Sequence, residues 1–182
     1  PPAPGFLFVP PASFGTRSWH EATGPDRYRR ALYTFRYRSV PYPALQTFDA
    51  PNADTACVRR ARSNTPLQAL TSLNEGMFLE AARSLALKAL MEGGETDIER
   101  LRYAFKRCLA REPMGAELSE LQALLKKQLL RLTQGWGSPW DVTGFGPDQK
   151  LDLPQHTTPS EWAAWTMVSR VLLNLDETIT RE

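Results

Sequence analysis

Three guanidiniums, Arg59, Arg60 and Arg62, stand just ahead of a helix start at Asn64-Thr65-Pro66, and two carboxylates, Asp49 and Asp54, precede them. A helix start offers free backbone N–H groups and the positive end of a dipole, both of which favour an anion. One reading is therefore a site for a carboxylate, sulfate or phosphate, held by Arg59, Arg60 or Arg62 with the side chain of Asn64. The other is an internal network, in which the arginines pair with Asp49 and Asp54 and bond loop carbonyls, locking a long irregular connection. The network is preferred, because the acidic partners lie in the same segment. Arg27, Arg29, Arg30, Arg36 and Arg38 add positive potential nearby, although most of such a run is usually a solvated face.

Other chemistries lack their residues. His20 and His156 are isolated from each other and from Cys57 and Cys108, and there is no Cys-x-x-Cys-His string, so neither a zinc site nor a covalent haem is expected in this chain. The two cysteines allow one bridge. An unpaired cysteine buried on a helix is the simpler expectation for Cys108. No Gly-x-Ser-x-Gly elbow, P-loop or Gly-x-Gly-x-x-Gly string occurs, and Gly144-Phe145-Gly146 reads as a loop. No catalytic residue and no metal ligand is assigned.

The elements that must position the arginines follow from composition. The chain has 182 residues, with 22 basic and 20 acidic side chains, a net charge too small to predict nucleic-acid binding. No apolar run reaches the length of a membrane span. Residues 1–66 hold ten of the fifteen prolines, and residues 1–63 carry nine arginines against four acids. The remainder is rich in helix formers. The expected fold is mainly α: a bundle of about five helices with a proline-rich irregular N-terminal arm and long loops. The expected organisation is an arm over residues 1–24, packed through Phe6, Phe8, Phe14 and Trp19, and a helical domain over residues 25–182.

Periodicity and caps predict the helices. The first runs from Pro25 to about Tyr37, with Tyr28, Ala31, Leu32 and Phe35 on one face; Pro41 and Pro43 forbid its continuation. The second runs from Pro66 to about Met91, with Leu67, Leu70, Leu73, Met77, Ala81 and Leu85 along one side. The third starts at a Thr96/Glu99 capping box and carries Ile98, Leu101, Phe105 and Cys108 inward. The fourth covers about Gly115 to Leu132, with Leu118, Leu121, Leu125, Leu129 and Leu132 as its stripe. Residues 133–157 read as a long loop. The last helix starts at Thr158-Pro159-Ser160-Glu161 and should be the most buried, because its apolar residues cover more than one face.

The strings Arg30-Ala31-Leu32-Tyr33-Thr34-Phe35, Val40-Pro41, Phe48-Asp49-Ala50-Pro51, Arg59 through Leu70, Leu73-Asn74-Glu75 and Leu173-Asn174-Leu175-Asp176-Glu177 occur in this order. With Arg111-Glu112-Pro113 and Glu117-Leu118, they resemble the planctomycete- and verrucomicrobia-specific C-terminal domain of unknown function numbered fifteen fifty-three, over roughly residues 24–182. The resemblance implies a C-terminal fragment of a large exported, extracytoplasmic protein, and the initial proline is consistent with a cut edge. It also implies an upstream planctomycete-type cytochrome c domain. Haem c is expected only there, with no cofactor in this chain, and the upstream domains of the same polypeptide are the implied partners. By association, such proteins suggest a role at the cell envelope near anionic, often sulfated, polysaccharide. The expected function is a non-catalytic helical interaction module. The rivals are an anion or sulfated-glycan site, or part of a hydrolase cleft, built around Arg59, Arg60, Arg62 and Asp49, with Trp19 and His20 supplied by the arm.

Overall fold

The computed structural model describes residues 3, 5–11, 13–37, 40–51, 55–59, 61–145 and 153–180. No strand occurs among them, and the fold is all-α, with five helices of nine residues or more. The chain divides into two compact units, Pro1–Thr71 and Ser72–Glu182.

The first unit follows from its prolines and aromatics. The expected helix over 25–37 is absent: two 3-10 turns, Gly24–Tyr28 and Ala31–Tyr33, are separated by extended backbone at Arg29 and Arg30. Thr23 gives no side-chain cap, and Tyr28, Leu32 and Phe35 all remain exposed. A helix this short needs a buried face to offset its nucleation cost, and this segment has none. Pro43, expected only as a breaker, instead opens α1 (Pro43–Thr47), where a first-turn proline loses no helical hydrogen bond. The unit's own core is aromatic. Phe8 is buried and stacks on Trp19 at 5.2 Å, and Trp19 stacks on Tyr42 at 5.8 Å. Phe6 and Phe14 point into solvent, contrary to the expectation that both would pack.

The helix expected over 66–91 is two helices, α2 (Pro66–Asn74) and α3 (Gly76–Glu92), because Glu75 adopts extended backbone between Asn74 and Gly76. Asn and Gly are poor helix formers, so the break costs little. It also shifts the phase of the stripe: Met77 and Ala81 are exposed, and α3 buries Ala82, Leu85, Ala86, Ala89 and Leu90.

In the second unit, α4 (Asp97–Leu109) starts at the expected box. Thr96 Oγ1 accepts the Glu99 N–H, and Glu99 Oε2 accepts the Thr96 N–H at 2.9 Å. Leu101, Phe105 and Cys108 face inward, whereas Ile98 is exposed. Thr96→Ala is expected to lower stability by about 1 kcal/mol, read as a lower urea midpoint at unchanged slope.

Helix α5 (Gly115–Thr133) buries Leu121, Leu125 and Leu132. The expected loop over 133–157 contains α6 (Pro139–Thr143), capped by Ser138, whose hydroxyl accepts the Trp140 N–H at 3.2 Å. Helix α7 (Pro159–Leu173) is the central element, packing on α3, α5 and α6 and burying Trp162, Trp165, Val168 and Leu172. Ala82, Ala86 and Ala89 of α3 and Ala163 and Ala164 of α7 are fully buried, and such small side chains let two helices approach closely. Helix α8 (Asp176–Ile179) closes the described chain.

Candidate functional site

The arginine segment is built on a polar clasp. After α1, Asp49 takes φ 56, a left-handed conformation that aspartate tolerates better than most residues. This turns its carboxylate toward the start of α2. Asp49 Oδ2 accepts from the Ser63 N–H at 3.1 Å, from Ser63 Oγ at 2.5 Å and from Gln68 Nε2 at 3.3 Å. Gln68 is only 1% exposed. Its Nε2 also lies 2.9 Å from the Thr47 carbonyl and 3.0 Å from Ser63 Oγ, and its Oε1 accepts the Thr65 N–H at 3.0 Å. In return the Gln68 N–H donates to Thr65 Oγ1 at 3.2 Å. Thr65 and Gln68 therefore form a capping box, and one glutamine side chain joins α1, the returning loop and α2.

The clasp decides what the predicted residues do. Asp49 and Asn64 sit at the two ends of the loop, Asp49 half-buried and Asn64 exposed. Arg59 and Arg62 are exposed, and neither forms an ion pair with Asp49, whose Oδ2 is taken by Ser63 and Gln68. Asp54 and Arg60 lie outside the described residues, as do Arg38 and Gly146. At the start of α2, the Thr65 and Gln68 amides are satisfied by the box and Pro66 has no N–H. Two of the donors that an incoming anion would use are thus held by the chain itself. Trp19 and His20 join a cleft with Arg27, Arg29 and Arg30 instead of joining Asp49, Arg59 or Arg62. No disulfide joins Cys57, which is exposed, to Cys108, which is buried.

Sequence reasoning missed Gln68, although Thr65-x-x-Gln68 has the same spacing as Thr96-x-x-Glu99. It also named Arg111 only within the string Arg111-Glu112-Pro113. Arg111 is an ion-pair hub: it grips Glu117, in the first turn of α5, at 2.7 and 2.9 Å, and Glu177 of α8 at 2.7 and 2.8 Å. Its guanidinium lies 4.9 Å from the Phe105 ring centre. The bond from Arg111, aided by the Met114 N–H, pulls the Glu117 carboxyl down to about 2, and Arg111 likewise lowers Glu177. Because both carboxylates titrate below their ordinary value in the folded chain, their contribution is present above about pH 4.5 and is lost as pH falls toward 2. In urea titrations the wild-type midpoint should therefore fall more steeply between pH 4.5 and 2 than that of Glu117→Gln. Parallel curves would show that the hub carries no such linkage.

Among the described residues, no group of three or more His, Cys, Asp or Glu side chains could hold a metal ion, and no helix is long and apolar enough to cross a membrane. What the fold and the site define is a mainly α-helical protein whose irregular N-terminal unit displays an arginine loop on a buried polar clasp. Residues 3–125, more than half of the chain, match the family described as PSD1, a protein of unknown function (DUF1553), and the chain belongs to that family. The match takes in residues of the arm and ends within α5, whereas the motifs alone placed the resemblance at about 24–182. No curated protein and no solved structure matches.

Proposed function

We propose that this chain is a non-catalytic docking module, which packs through its N-terminal unit against other domains of a larger exported protein. The family resemblance supplies the occupant: upstream domains of the same polypeptide, one of them a planctomycete-type cytochrome c domain that carries the haem. The observation that supports docking is α2, an amphipathic helix turned inside out. Gln68 and Ser72, four residues apart on one side, are buried, while Leu67 and Leu70, three residues apart on the other, are each 59% exposed. An ordinary surface helix places these residue types the other way round, and exposed apolar side chains on a rigid element mark an interaction surface.

The test is a double substitution, Leu67→Asp with Leu70→Asp, made both in the 182-residue chain and in the full-length polypeptide. In the chain alone the thermal midpoint should change little, because neither leucine is buried. In the full-length protein it should fall by several degrees, as a buried docking contact is lost. Equal midpoints in all four proteins would contradict the reading.

One observation favours a second role for the arginine loop, as a contact for anionic polysaccharide: with Asp49 engaged by Ser63 and Gln68, the guanidiniums of Arg59 and Arg62 face solvent. A hydrolase cleft built on Asp49 has no such support, because the carboxylate that would act is occupied in the clasp.

A further inference from the structure

Residues between 18 and 37 line an open cleft of about 560 Å³, a size typical of small-molecule sites. We infer that this cleft binds a small oxyanion carried on a flat ring.

The charge of the lining comes first. Arg27, Arg29 and Arg30 contribute three guanidiniums, and Asp26 is the one acid in the wall. Asp26 Oδ1 is bonded to Arg29 Nε at 2.7 Å, and the Arg29 guanidinium also lies 5.3 Å from the Tyr33 ring centre. Arg29 is thus oriented from two sides before any ligand arrives, and its charge is met by Asp26. Arg30 is exposed and forms no ion pair among the described residues. Its carbonyl accepts the Tyr33 N–H at 2.9 Å, which sets Arg30 and Tyr33 at the two ends of one tight turn. A planar, bidentate guanidinium in this position suits a carboxylate, sulfate or phosphate.

The aromatic part of the lining decides what carries the anion. Phe35 meets Tyr37 edge-on at 4.9 Å, Trp19 lies 6.3 Å from Tyr37, and the Tyr37 hydroxyl donates to the Ser18 carbonyl at 3.1 Å. These contacts join the aromatic residues of the lining and tie them to Ser18. Tyr33 and Phe35 nevertheless keep 60% and 67% of their surface exposed. A bare inorganic anion would engage the arginines and leave those rings wet. A neutral ring would stack and leave the positive charge unmatched. A ring bearing an oxyanion satisfies both, by stacking on the aromatic faces and pairing with the guanidiniums.

The cleft is separate from the Leu67/Leu70 face, so it can be tested independently of docking. Calorimetric titration of the 182-residue chain would use five probes: sodium sulfate, 2-naphthol, naphthalene-2-sulfonate, glucose 6-sulfate and a hexaglutamate peptide. The expected result is binding of naphthalene-2-sulfonate, with sulfate, 2-naphthol and glucose 6-sulfate each at least about tenfold weaker. Preference for glucose 6-sulfate would contradict the flat ring. Arg30→Gln and Tyr33→Ala, both at exposed positions, should each weaken that binding about tenfold. Equal affinity for sulfate and the ring anions, indifference to both substitutions, or binding of hexaglutamate alone would overturn the inference.

Discussion

Gln68→Leu should release the loop that carries the arginines. The replacement keeps the volume and removes every polar contact of the side chain, leaving the Thr47 carbonyl, the Thr65 N–H and part of the Asp49 carboxylate, all part-buried, without their partner. An unsatisfied buried polar group costs about 1–3 kcal/mol, so a loss of about 3 kcal/mol is expected, concentrated in residues 47–68. Trypsin reads this directly, because Arg59 and Arg62 are its targets. Cleavage there should accelerate about a hundredfold if most of that energy is spent on local opening. Gln68→Glu makes a sharper control: it preserves shape and the Oε1 acceptor but sets a carboxylate beside Asp49, and should also open the loop. Wild-type cleavage rates in both variants would mean that the clasp does not hold the loop.

The second large effect lies in the helical unit. Phe105 is 1% exposed and sits among Leu101, Cys108 and the side chains of the α3–α7 core, with Arg111 over its ring. Phe105→Ala removes a buried aromatic group and leaves a cavity, at a cost of about 3–5 kcal/mol. That is a large fraction of the 5–15 kcal/mol by which a domain is ordinarily stable. Urea unfolding followed by tryptophan fluorescence would show it as a large drop in midpoint, since Trp162 and Trp165 lie in the same core. A shift of under about 1 kcal/mol would indicate that the site collapses around the cavity.

The long helices were legible because their starts carry local chemistry. Thr96 with Glu99 and Thr158 with Pro159 are caps that act over three residues, whatever the rest of the chain does. The same rule applies to Ser138-Pro139 at α6, where apolar periodicity is weak, and to Thr65 with Gln68, where the helix start is legible but the partners of the Gln68 side chain are not. Tertiary information was what failed to show in the sequence. Tyr28, Leu32 and Phe35 have helical spacing, but no buried surface waits for them, so two 3-10 turns form instead. The break at Glu75 shifts which residues of α3 are buried, and a continuous stripe from Leu67 to Leu85 could not reveal that.

The candidate site was legible in residues and not in partners. Asp49 and the arginines were singled out together by proximity in sequence and opposite charge. In the fold Asp49 instead serves neutral donors, Ser63 and Gln68, because its left-handed backbone aims it at the start of α2. Arg111 and Glu177 are sixty-six residues apart, and nothing short of the folded chain joins them. The division of charge at residue 63 was visible at once. It coincides approximately with the boundary between the compact units, which falls at residue 71.

The most direct test of docking is to ask whether the outward face of α2 is covered in the larger exported protein that we propose. A Leu67→Cys substitution in a Cys57→Ser background places one exposed thiol on that face, Cys108 being buried. Its labelling by a maleimide would be timed in the 182-residue chain and in the full-length polypeptide. Docking predicts rapid labelling in the chain and labelling about tenfold slower or more in the full-length protein, equivalent to roughly 1.4 kcal/mol of protection. Equal rates in the two would contradict it.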